Sequence, residues 1–426
     1  MLQRLNIFLY NHNGRSLDSN LLKPACRTKR LVGPKVRQRS ASNTIAYETR
    51  RWSLPTACRE KNVTVVEEIR EKHRRLVELM DRERIDALAI TNVGNFAWLT
   101  CGGANWVGTS SDVGAATAVV TRDAKYIVCN NIEAPRLADE EVGGLGFEFR
   151  TFPWHEDAAG RIISKIADGG AIGSDVPMEG ARTVSIDACR QSLTESEIER
   201  YKWLGANAGQ CLSLACREIE PSMTEFEIAA VLDKHIYARG IVPTLTLVAV
   251  DERIGRYRHP IPTDQKLERV AMLVTGARKW GLIVSATRLV HFGPLSDDLR
   301  RRHDAVARVD AALIASTRPG ARMGDIFGRG VAVYAEAGFA DEWKLHHQGG
   351  PTGYRAREFR VHEGSDAVVV ANQAFAWNPS ITGTKCEDTI VATASGAVIL
   401  SETADWPKVS IEIGGATIAR PDILLR

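Results

Sequence analysis

Two adjacent histidines and a glycine pair mark the stretch of this chain that is best suited to chemistry. The segment KLHHQGGPTGYRAREF contains His346 and His347, with Tyr354 and Glu358 close behind. Imidazole binds divalent metals and also moves protons near neutral pH. Glycines let a backbone pass close to a ligand. The sequence alone leaves three possibilities open: a metal site, a metal-free acid–base site, or a tight turn that contains histidine.

Only one histidine of this pair is expected to face such a site, because consecutive residues of a strand point to opposite faces. His347 is the catalytic candidate, since it stands nearer the glycines, and His346 is assigned to substrate binding. The alternative for both is a packed histidine that holds the turn through hydrogen bonds.

Three further residues are candidates for acid–base chemistry. His259 lies in RYRHPIP, Glu358 lies among arginines, and Glu387 stands at the head of an apolar strand. A histidine near neutrality is an effective proton donor or acceptor, and a carboxylate can activate water. The alternatives are a surface histidine beside cations, a salt-bridged surface segment and a solvated carboxylate, respectively.

Composition and charge restrict the class of protein. The chain has 426 residues, of which 44% are hydrophobic and 25% charged, as in ordinary globular proteins of two or three domains. Residues 1–60 hold 12 Lys/Arg and 3 Asp/Glu, a balance of +9, so the net charge of +3 leaves −6 for residues 61–426. We therefore expect no nucleic-acid partner, and no apolar run is long enough for a membrane helix.

The cysteines and the basic beginning of the chain bear on its compartment. Eight cysteines are scattered without a CxxC pair, which argues against a zinc ribbon and a disulfide scaffold. A reducing, cytoplasmic setting is the simplest expectation. Residues 1–61 form a basic extension without a regular period, and their composition also fits a transit peptide, which would make the protein organellar. A flexible tail or an upstream extension fits equally well.

The first structured part is predicted to be an α/β domain over residues 62–190. An amphipathic helix is expected over 65–84, a strand over 86–90, two strands joined by a turn at 122–125, and a helix over 158–166. Helices that alternate with strands are typical of this class.

The second part, residues 191–426, is predicted to be an α+β domain with helices packed on an antiparallel sheet. Capping boxes at Thr194/Glu197 and Thr224/Glu227 mark two helix starts, and further helices are expected over 302–316 and 324–337. Strands are expected over residues 244–250, 270–274, 282–290, 367–370, 374–377, 388–393 and 397–400.

The order of five motifs resembles that of a known superfamily. The motifs are Arg258-His-Pro-Ile-Pro262, Gly276-Ala277, Thr287-Arg288, HHQGG and Lys385-Cys-Glu-Asp-Thr389. Together they resemble the pita-bread superfamily of Xaa-Pro dipeptidases, methionine aminopeptidases and creatinases (peptidase M24-like). The resemblance covers about residues 65–400 and implies an α/β N-terminal domain followed by a pita-bread catalytic domain.

The resemblance also implies a metal site, from which this chain departs. The metallopeptidases of the superfamily bind two divalent ions through two aspartates, one histidine and two glutamates. The positions of three of these carboxylates hold Val274, Ser285 and Asn378 here, while Glu387 is kept and the histidine falls on position 346 or 347. One carboxylate and one imidazole offer too little negative charge for two dications. We therefore expect no metal and no cofactor.

An alternative keeps one divalent ion, Mn, Co or Zn. It would be held by His347, Glu387 and a further ligand such as His291 or Glu358. Metal-free creatinases offer the main comparison: His259 matches their proton-shuttling histidine and Glu387 one of their glutamates. Their other glutamate is replaced by threonine here, which makes creatine itself a poor candidate.

The predicted function is hydrolysis of a C–N bond in a small, polar, carboxylate-bearing amide, amidine or guanidine. Glu387 would position or deprotonate water, His259 would protonate the leaving nitrogen, and His347 would stabilise the oxyanion. Substrate contacts are assigned to four residues: His346, Arg288, Asn378 and Tyr354. Two alternatives are an Xaa-Pro dipeptidase-like metallopeptidase with a reduced metal site and a non-catalytic binding protein. The resemblance further implies a homodimer in which one subunit's small domain closes the other's cleft.

Overall fold

A computed structural model describes the backbone of residues 57–426 and the side chains of residues 65–426. These residues form an N-terminal α/β domain followed by a C-terminal domain of sheets and helices. The first helix begins at Ala57, so the last five residues assigned to the basic extension are helical instead. The remainder of that prediction, residues 1–56, lies outside the described residues. The domain boundary at residues 190–191 stays a prediction.

The N-terminal domain contains one mixed six-stranded sheet with the order β4-β3-β2-β1-β5-β6. Strand β2 runs antiparallel to β1 and β3, and the remaining neighbours are parallel. The strands are β1 (Ala87–Asn92), β2 (Val113–Val120), β3 (Lys125–Asn130), β4 (Glu148–Phe152), β5 (Ile172–Ser174) and β6 (Arg182–Thr183). The helices are α1 (Ala57–Glu83), α2 (Val93–Leu99), α3 (Ala134–Arg136, continued by a π turn over Leu137–Glu141), α4 (Ala159–Ile166) and α5 (Asp187–Arg190).

A local signal fixes the position of the short helix α2, which later forms one wall of the cleft. The side chain of Asn92 accepts hydrogen bonds from the backbone N–H groups of Gly94 and Asn95, so it caps the helix. Asp175, at the end of β5, accepts further bonds from Thr91 and Asn92. The turn between β1 and α2 is therefore held from two sides.

The C-terminal domain begins with two long helices whose starts follow the sequence prediction. Thr194 and Thr224 each accept a bond from the amide three residues later, and Glu197 and Glu227 bond back to the cap amides. Both predicted capping boxes are confirmed. The helices are α6 (Glu195–Glu218), α7 (Glu225–Tyr237), α8 (Glu252–Arg256), α9 (Asp297–Ser316) and α10 (Met323–Glu336), with a 3-10 turn over Glu342–Leu345.

Two four-stranded sheets of this domain meet and create the frame of the site. One has the order β7-β8-β9-β18 and the other β10-β11-β14-β15. The backbone N–H of Thr287 on β9 donates to the carbonyl of Glu387, directly before β14, over 3.1 Å. The strands are β7 (Val242–Val250), β8 (Val270–Lys279), β9 (Leu282–His291), β10 (Gly349–Thr352), β11 (Gln373–Trp377), β12 (Ser380–Ile381), β13 (Thr384–Lys385), β14 (Asp388–Thr393), β15 (Gly396–Ile399), β16 (Lys408–Ile413), β17 (Ala416–Pro421) and β18 (Leu424–Leu425).

Several short strands, among them β4, β6, β10, β12, β13 and β18, were not predicted, and two further differences are informative. Residues 367–370 form no strand, because the backbone of Val369 pairs with the turn at Gly320 and Ala321 after α9. The hairpin of β16 and β17 was not predicted, although its Gly414-Gly415 turn is a recognised hairpin signal. No helix within residues 57–426 is both long and apolar enough to cross a membrane.

Candidate functional site

Three histidines from two segments converge beside the junction of the sheets. His259 follows α8, and His346 and His347 follow the 3-10 turn. The Nε2 atoms of His259 and His346 are 3.2 Å apart. One ring nitrogen from each of the three residues lies within 4.8 Å of the other two. We call these three residues the histidine cluster; each offers an imidazole nitrogen that could hold a metal ion.

The structure differs from the expectation that only one of the adjacent histidines faces the site. The ring centroids of His346 and His347 are 4.7 Å apart, and both rings lie within 5.7 Å of His259. Strand β10 begins only at Gly349, so the alternation of a pleated strand does not apply to the pair. Both imidazoles therefore belong to one cluster.

The glycines that follow the pair serve the sheet rather than a ligand. Gly349 has φ +97°, a left-handed conformation that favours glycine. A Cβ atom at this position would collide with the carbonyl oxygen of Ala376 on β11. The close backbone approach expected from the Gly-Gly pair is thus an approach between two strands.

Hydrogen bonds around the cluster orient its rings. The Nδ1 atom of His346 lies 3.3 Å from the Oγ atom of Ser380, which leaves Nε2 directed at the cluster. The side chain of Gln348 donates to the carbonyl of His346 over 2.6 Å and accepts from the Tyr334 hydroxyl over 2.9 Å. Among the described residues, the buried Nδ1 atom of His347 has no partner. One imidazole nitrogen is therefore left for a ligand or water.

All three imidazoles are held in the neutral form at neutral pH. Desolvation, followed by the charge of Lys385, lowers the pKa of His346 to about 2. Desolvation, followed by the charges of Arg357 and Arg360, lowers the pKa of His347 to about 4. The pKa of His259 is lowered by the same kinds of cause. A neutral imidazole has the free lone pair that a metal ligand or a general base needs.

Glu387 is the carboxylate of the site, and two cations bind it. Its Oε2 atom lies 2.8 Å from the Lys385 ammonium and accepts from the Thr287 hydroxyl over 2.7 Å. Its Oε1 atom accepts from Arg357 over 2.9 Å. Burial by itself raises the pKa of Glu387, but the charges of Lys385 and Arg357 outweigh it and lower the pKa to about 2. The carboxylate is therefore ionised and fully paired.

The residues present do not fit a two-metal cluster. Val274 is packed in an apolar cluster, and Ser285 accepts a hydrogen bond from Arg357 over 3.2 Å. Asn378 supplies only a neutral amide. A two-metal cluster needs carboxylates that are free to bind the ions. Glu387 is already paired with Arg357 and Lys385. The donor set of the described residues lacks the negative charge that two ions require.

Two predicted site residues lie in buried ion pairs instead of facing the cleft. Glu358 accepts a hydrogen bond from Arg190 over 2.6 Å. Its carboxylate therefore links the C-terminal domain to helix α5 of the N-terminal domain. Arg288 is 2% exposed and donates to Asp388 and to the carbonyl of Ser401, each over 2.9 Å. The ion pairs therefore support neither the predicted catalytic role of Glu358 nor the predicted substrate-binding role of Arg288.

The remaining predicted residues are divided. The hydroxyl of buried Tyr354 donates to Glu197 over 2.7 Å, although the residue also lines the cleft. Asn378 keeps a buried Oδ1 atom without a partner among the described residues, so it stays a candidate for substrate binding. The ring of His291 bonds with the carbonyl of Gly293 and takes no part in the histidine cluster.

Three important residues were missed by the sequence analysis. Lys385 stands two residues before Glu387, a spacing that puts both side chains on one side of an extended segment, so a local signal existed. Arg357 and Ser380 carry no such signal, because their contacts to Glu387 and His346 depend on tertiary folding.

A cleft of about 470 Å³ leads to this site from the N-terminal domain. Its floor is formed by strands β7 to β9, and one wall is formed by the turn at Asn92 and Gly94. Ser285 and Arg357 line its inner part, which connects it to Glu387. Arg278 and Arg355 also line the cleft, so three of its four charged lining residues are arginines and the fourth is Asp112.

Comparisons with known proteins show which proteins this chain resembles. The family model of metallopeptidase family M24 matches residues 199–394. These residues therefore resemble the M24 peptidases. The predicted superfamily, with its α/β N-terminal domain and pita-bread C-terminal domain, is confirmed.

Similar proteins carry peptidase names. The Probable dipeptidase PepE of Mycobacterium tuberculosis is 26% identical over 218 residues, which cover 49% of this chain and 58% of that protein. The prolidase from Pyrococcus horikoshii has a TM-score of 0.67 at 20% identity and covers 78% of this chain and 98% of its own. An Xaa-Pro dipeptidase from Bacillus anthracis has a TM-score of 0.66 at 17% identity and covers 84% of this chain and 100% of its own.

These comparisons bear differently on the fold and on the activity. Structural similarity at such identities establishes the fold, and the sequence match to PepE spans little more than half of that protein. The relatives reported above carry peptidase names, which supports the prediction of a hydrolase and favours the peptidase alternative over the metal-independent, creatinase-like one. The histidine cluster likewise favours one divalent ion over none.

Proposed function

We propose that the protein is an M24-type hydrolase that cleaves a C–N bond of a small peptide-like substrate beside the histidine cluster. The observation that carries this proposal is the convergence of three neutral imidazoles next to an ionised, buried carboxylate. Imidazole and carboxylate are the groups that activate water and protonate a leaving nitrogen. The peptidase relatives support this reaction class.

The cluster suits a single divalent ion. At the metal–nitrogen distance of about 2.0–2.1 Å, tetrahedral ligands lie about 3.3 Å apart, and the Nε2 atoms of His259 and His346 are separated by 3.2 Å. An all-imidazole donor set favours Zn²⁺ or Co²⁺ over the harder Mn²⁺. When bound, such an ion would act as a Lewis acid that activates water.

The chain's own residues have separate tasks in this reaction. Ser380 holds the ring of His346 through Nδ1, so that Nε2 stays directed at the cluster. Arg357 lines the cleft beside Ser285 and offers positive charge to the oxyanion that forms when the scissile carbonyl is attacked. His259 is the exposed member of the cluster, and in this candidate it would hold the ion together with His346 and His347 while the attacking water supplies the proton that the leaving nitrogen takes up.

A metal-free, creatinase-like mechanism is the second candidate, and one observation favours it. Lys385, Arg357 and Arg360 lower the pKa values of the cluster, and the same charges oppose the entry of a dication. In this mechanism Glu387 positions the attacking water, and His259, whose ring then holds no ion, passes a proton from that water to the leaving nitrogen. The substrate is then an activated amide, amidine or guanidine, because no Lewis acid polarises the carbonyl.

One experiment separates these candidates. The purified protein is analysed for bound transition metal, loaded with Zn²⁺ or Co²⁺, and assayed with Xaa-Pro dipeptides, simple amides and guanidines. Turnover that requires one ion per chain supports the single-ion peptidase, and turnover in the presence of a chelator supports the metal-free hydrolase. The proposal is contradicted if the protein hydrolyses none of these compounds and the His259→Ala variant still binds ligand. That result would identify a binding protein.

The resemblance also supports a homodimer, which we propose as the working assembly. Light scattering on the purified protein tests this: a mass of about 94 kDa, twice the chain mass of 46.8 kDa, is expected. A monomeric mass would contradict it.

A further inference from the structure

The cleft contains one arginine that differs from its neighbours. Arg278, near the end of β8, makes no hydrogen bond or ion pair with any described residue, and its Nη2 atom is buried without an acceptor. By contrast, Arg355 and Arg357, which line the same cleft, are paired with Asp187 and Glu387. A buried donor without a partner destabilises a fold, and a bound ligand could supply the acceptor that Arg278 lacks.

A second feature shows that this side chain is held in place. The guanidinium carbon of Arg278 lies 5.0 Å from the centre of the Trp106 ring, a stacking arrangement supplied by the N-terminal domain. Stacking orients the planar fork of an arginine and leaves its edge free for a carboxylate. Asp112 lines the same cleft and is exposed, but it makes no hydrogen bond or ion pair with Arg278. The cation is therefore positioned and unpaired.

The sheet register sets the distance from Arg278 to the reacting groups. Gly276 pairs with Ser285 across β8 and β9, and Arg278 stands two residues further along the same face. Two residues of a strand span about 7 Å. Ser285 accepts from Arg357, whose other nitrogen bonds Glu387. A molecule held at Arg278 thus reaches the reacting groups if it is the size of an acylated amino acid.

We propose that Arg278, stacked on Trp106, binds a carboxylate of the substrate and selects for acidic, acyl-amino-acid-like molecules. The choice of substrate rests on the proposed function, whereas binding of the carboxylate does not depend on turnover. A bidentate carboxylate would satisfy the guanidinium edge with two charge-assisted hydrogen bonds. The neutral analogue would leave the same donors unpaired.

The test uses a pair of probes without a hydrolysable bond to an amine. The first is 4-oxopentanoate, the ketone analogue of N-acetylglycine, and the second is the neutral diketone hexane-2,5-dione, in which a methyl ketone replaces the carboxylate. Binding of each is measured by calorimetry on the full chain. We expect the carboxylate to bind at least ~10-fold more tightly than the diketone, which is about 1.4 kcal/mol, and this preference to weaken with added salt.

Three variants make the test specific. Arg278→Gln is expected to abolish the preference, and Arg278→Lys to retain part of it because it keeps the charge without the planar fork. Arg161→Gln is the matched control, since Arg161 lies on α4 with a side chain that is 77% exposed, and it should keep the full preference. Thermal unfolding of each variant checks that it is folded.

Each outcome has a definite meaning. Equal binding of the two probes, no binding of the carboxylate, or a preference that persists in Arg278→Gln would overturn the subsite. A carboxylate preference that depends on Arg278, in a protein without C–N hydrolase activity, would leave the subsite standing and reject the proposed function. C–N hydrolysis by a protein that shows no carboxylate preference would support the proposed function and reject the subsite.

Discussion

Glu387 and Asp388 are adjacent carboxylates that belong to two different regions of the molecule. Asp388 faces the core, where its Oδ1 atom accepts from Arg288 over 2.9 Å and from Ser401 over 2.6 Å, and its Oδ2 atom accepts from Arg420 over 2.7 Å. Glu387 faces the cleft, where two cations and a hydroxyl bind it. Both residues are about 2% exposed, so burial alone does not distinguish them.

The two regions differ in their balance of charge. The core network contains two arginines and two aspartates, because Arg420 also donates to Asp310 over 2.7 Å. At the cleft, one carboxylate faces two cations, and the neighbouring His347 and Asn378 keep buried polar atoms without described partners. The core network is balanced in charge, whereas the cleft has an excess of positive charge that an anionic ligand can offset. We therefore assign stability to the first region and binding to the second.

The largest effect is expected from breaking the core network. Arg420→Met leaves buried Asp310 without its ion-pair partner and Asp388 with Arg288 as its remaining cation, which should lower the free energy of unfolding by about 3–5 kcal/mol. Urea denaturation at pH 7 measures this. Arg161→Met, on an exposed position, should stay within about 0.5 kcal/mol of the original protein. An Arg420→Met protein of unchanged stability would remove the distinction between the two regions.

The cleft should respond in activity more than in stability. Glu387→Gln should lower kcat/KM by about 10²–10⁴-fold, the range for a group that activates water, while unfolding changes by about 1–3 kcal/mol. Glu358→Gln is the matched control, because its carboxylate pairs with Arg190. It should lose stability and keep its turnover. If Glu358→Gln lost turnover and Glu387→Gln kept it, the assignment of the two glutamates would be reversed.

A smaller effect is expected from removing the hydrogen bond that orients His346 in the histidine cluster. Ser380→Ala removes the hydroxyl beside Nδ1 of His346 and should weaken Zn²⁺ or Co²⁺ binding by about 10–100-fold. Calorimetric titration of the metal measures it. Ser164→Ala, on the exposed surface of α4, should bind metal as the original protein does. Equal affinities in both variants would show that Ser380 does not orient the ring.

The smallest effect is a pH dependence of stability. The pKa of His347 is lowered from 6.5 to about 4 by desolvation and then by Arg357 and Arg360. Between these values the unfolded chain binds more protons, so stability falls as the pH falls from about 6.5 to about 4. His347→Asn should show a shallower loss of unfolding free energy over this window. Curves of equal slope for both proteins would contradict a buried, neutral His347.

Local signals explain which parts of the fold the sequence predicts. The capping boxes at Thr194 and Thr224 are confirmed because they depend on side chains and amides three residues apart. The motif order likewise predicts the pita-bread domain. The strand expected over 367–370 is wrong because an apolar run alone does not show that its partner is a turn at Gly320.

The site is less predictable, because its decisive contacts join distant residues. The three carboxylate positions at 274, 285 and 378 could be recognised from the motifs alone. The pairing of Glu358 with Arg190 spans 168 residues, and that of Glu387 with Arg357 spans 30. No spacing rule reports such contacts. The shared orientation of His346 and His347 depends on where β10 begins, which is a property of strand pairing.

The number of metal ions at the site tests the central claim most directly. Crystals of the protein soaked with Zn²⁺ are measured at the zinc absorption edge, so that anomalous difference peaks locate each ion. We predict one peak among His259, His346 and His347 if the protein takes up zinc, and none between Glu387 and Ser285, where Arg357 bonds both residues. Two peaks about 3.5–4 Å apart beside Glu387 would contradict the account.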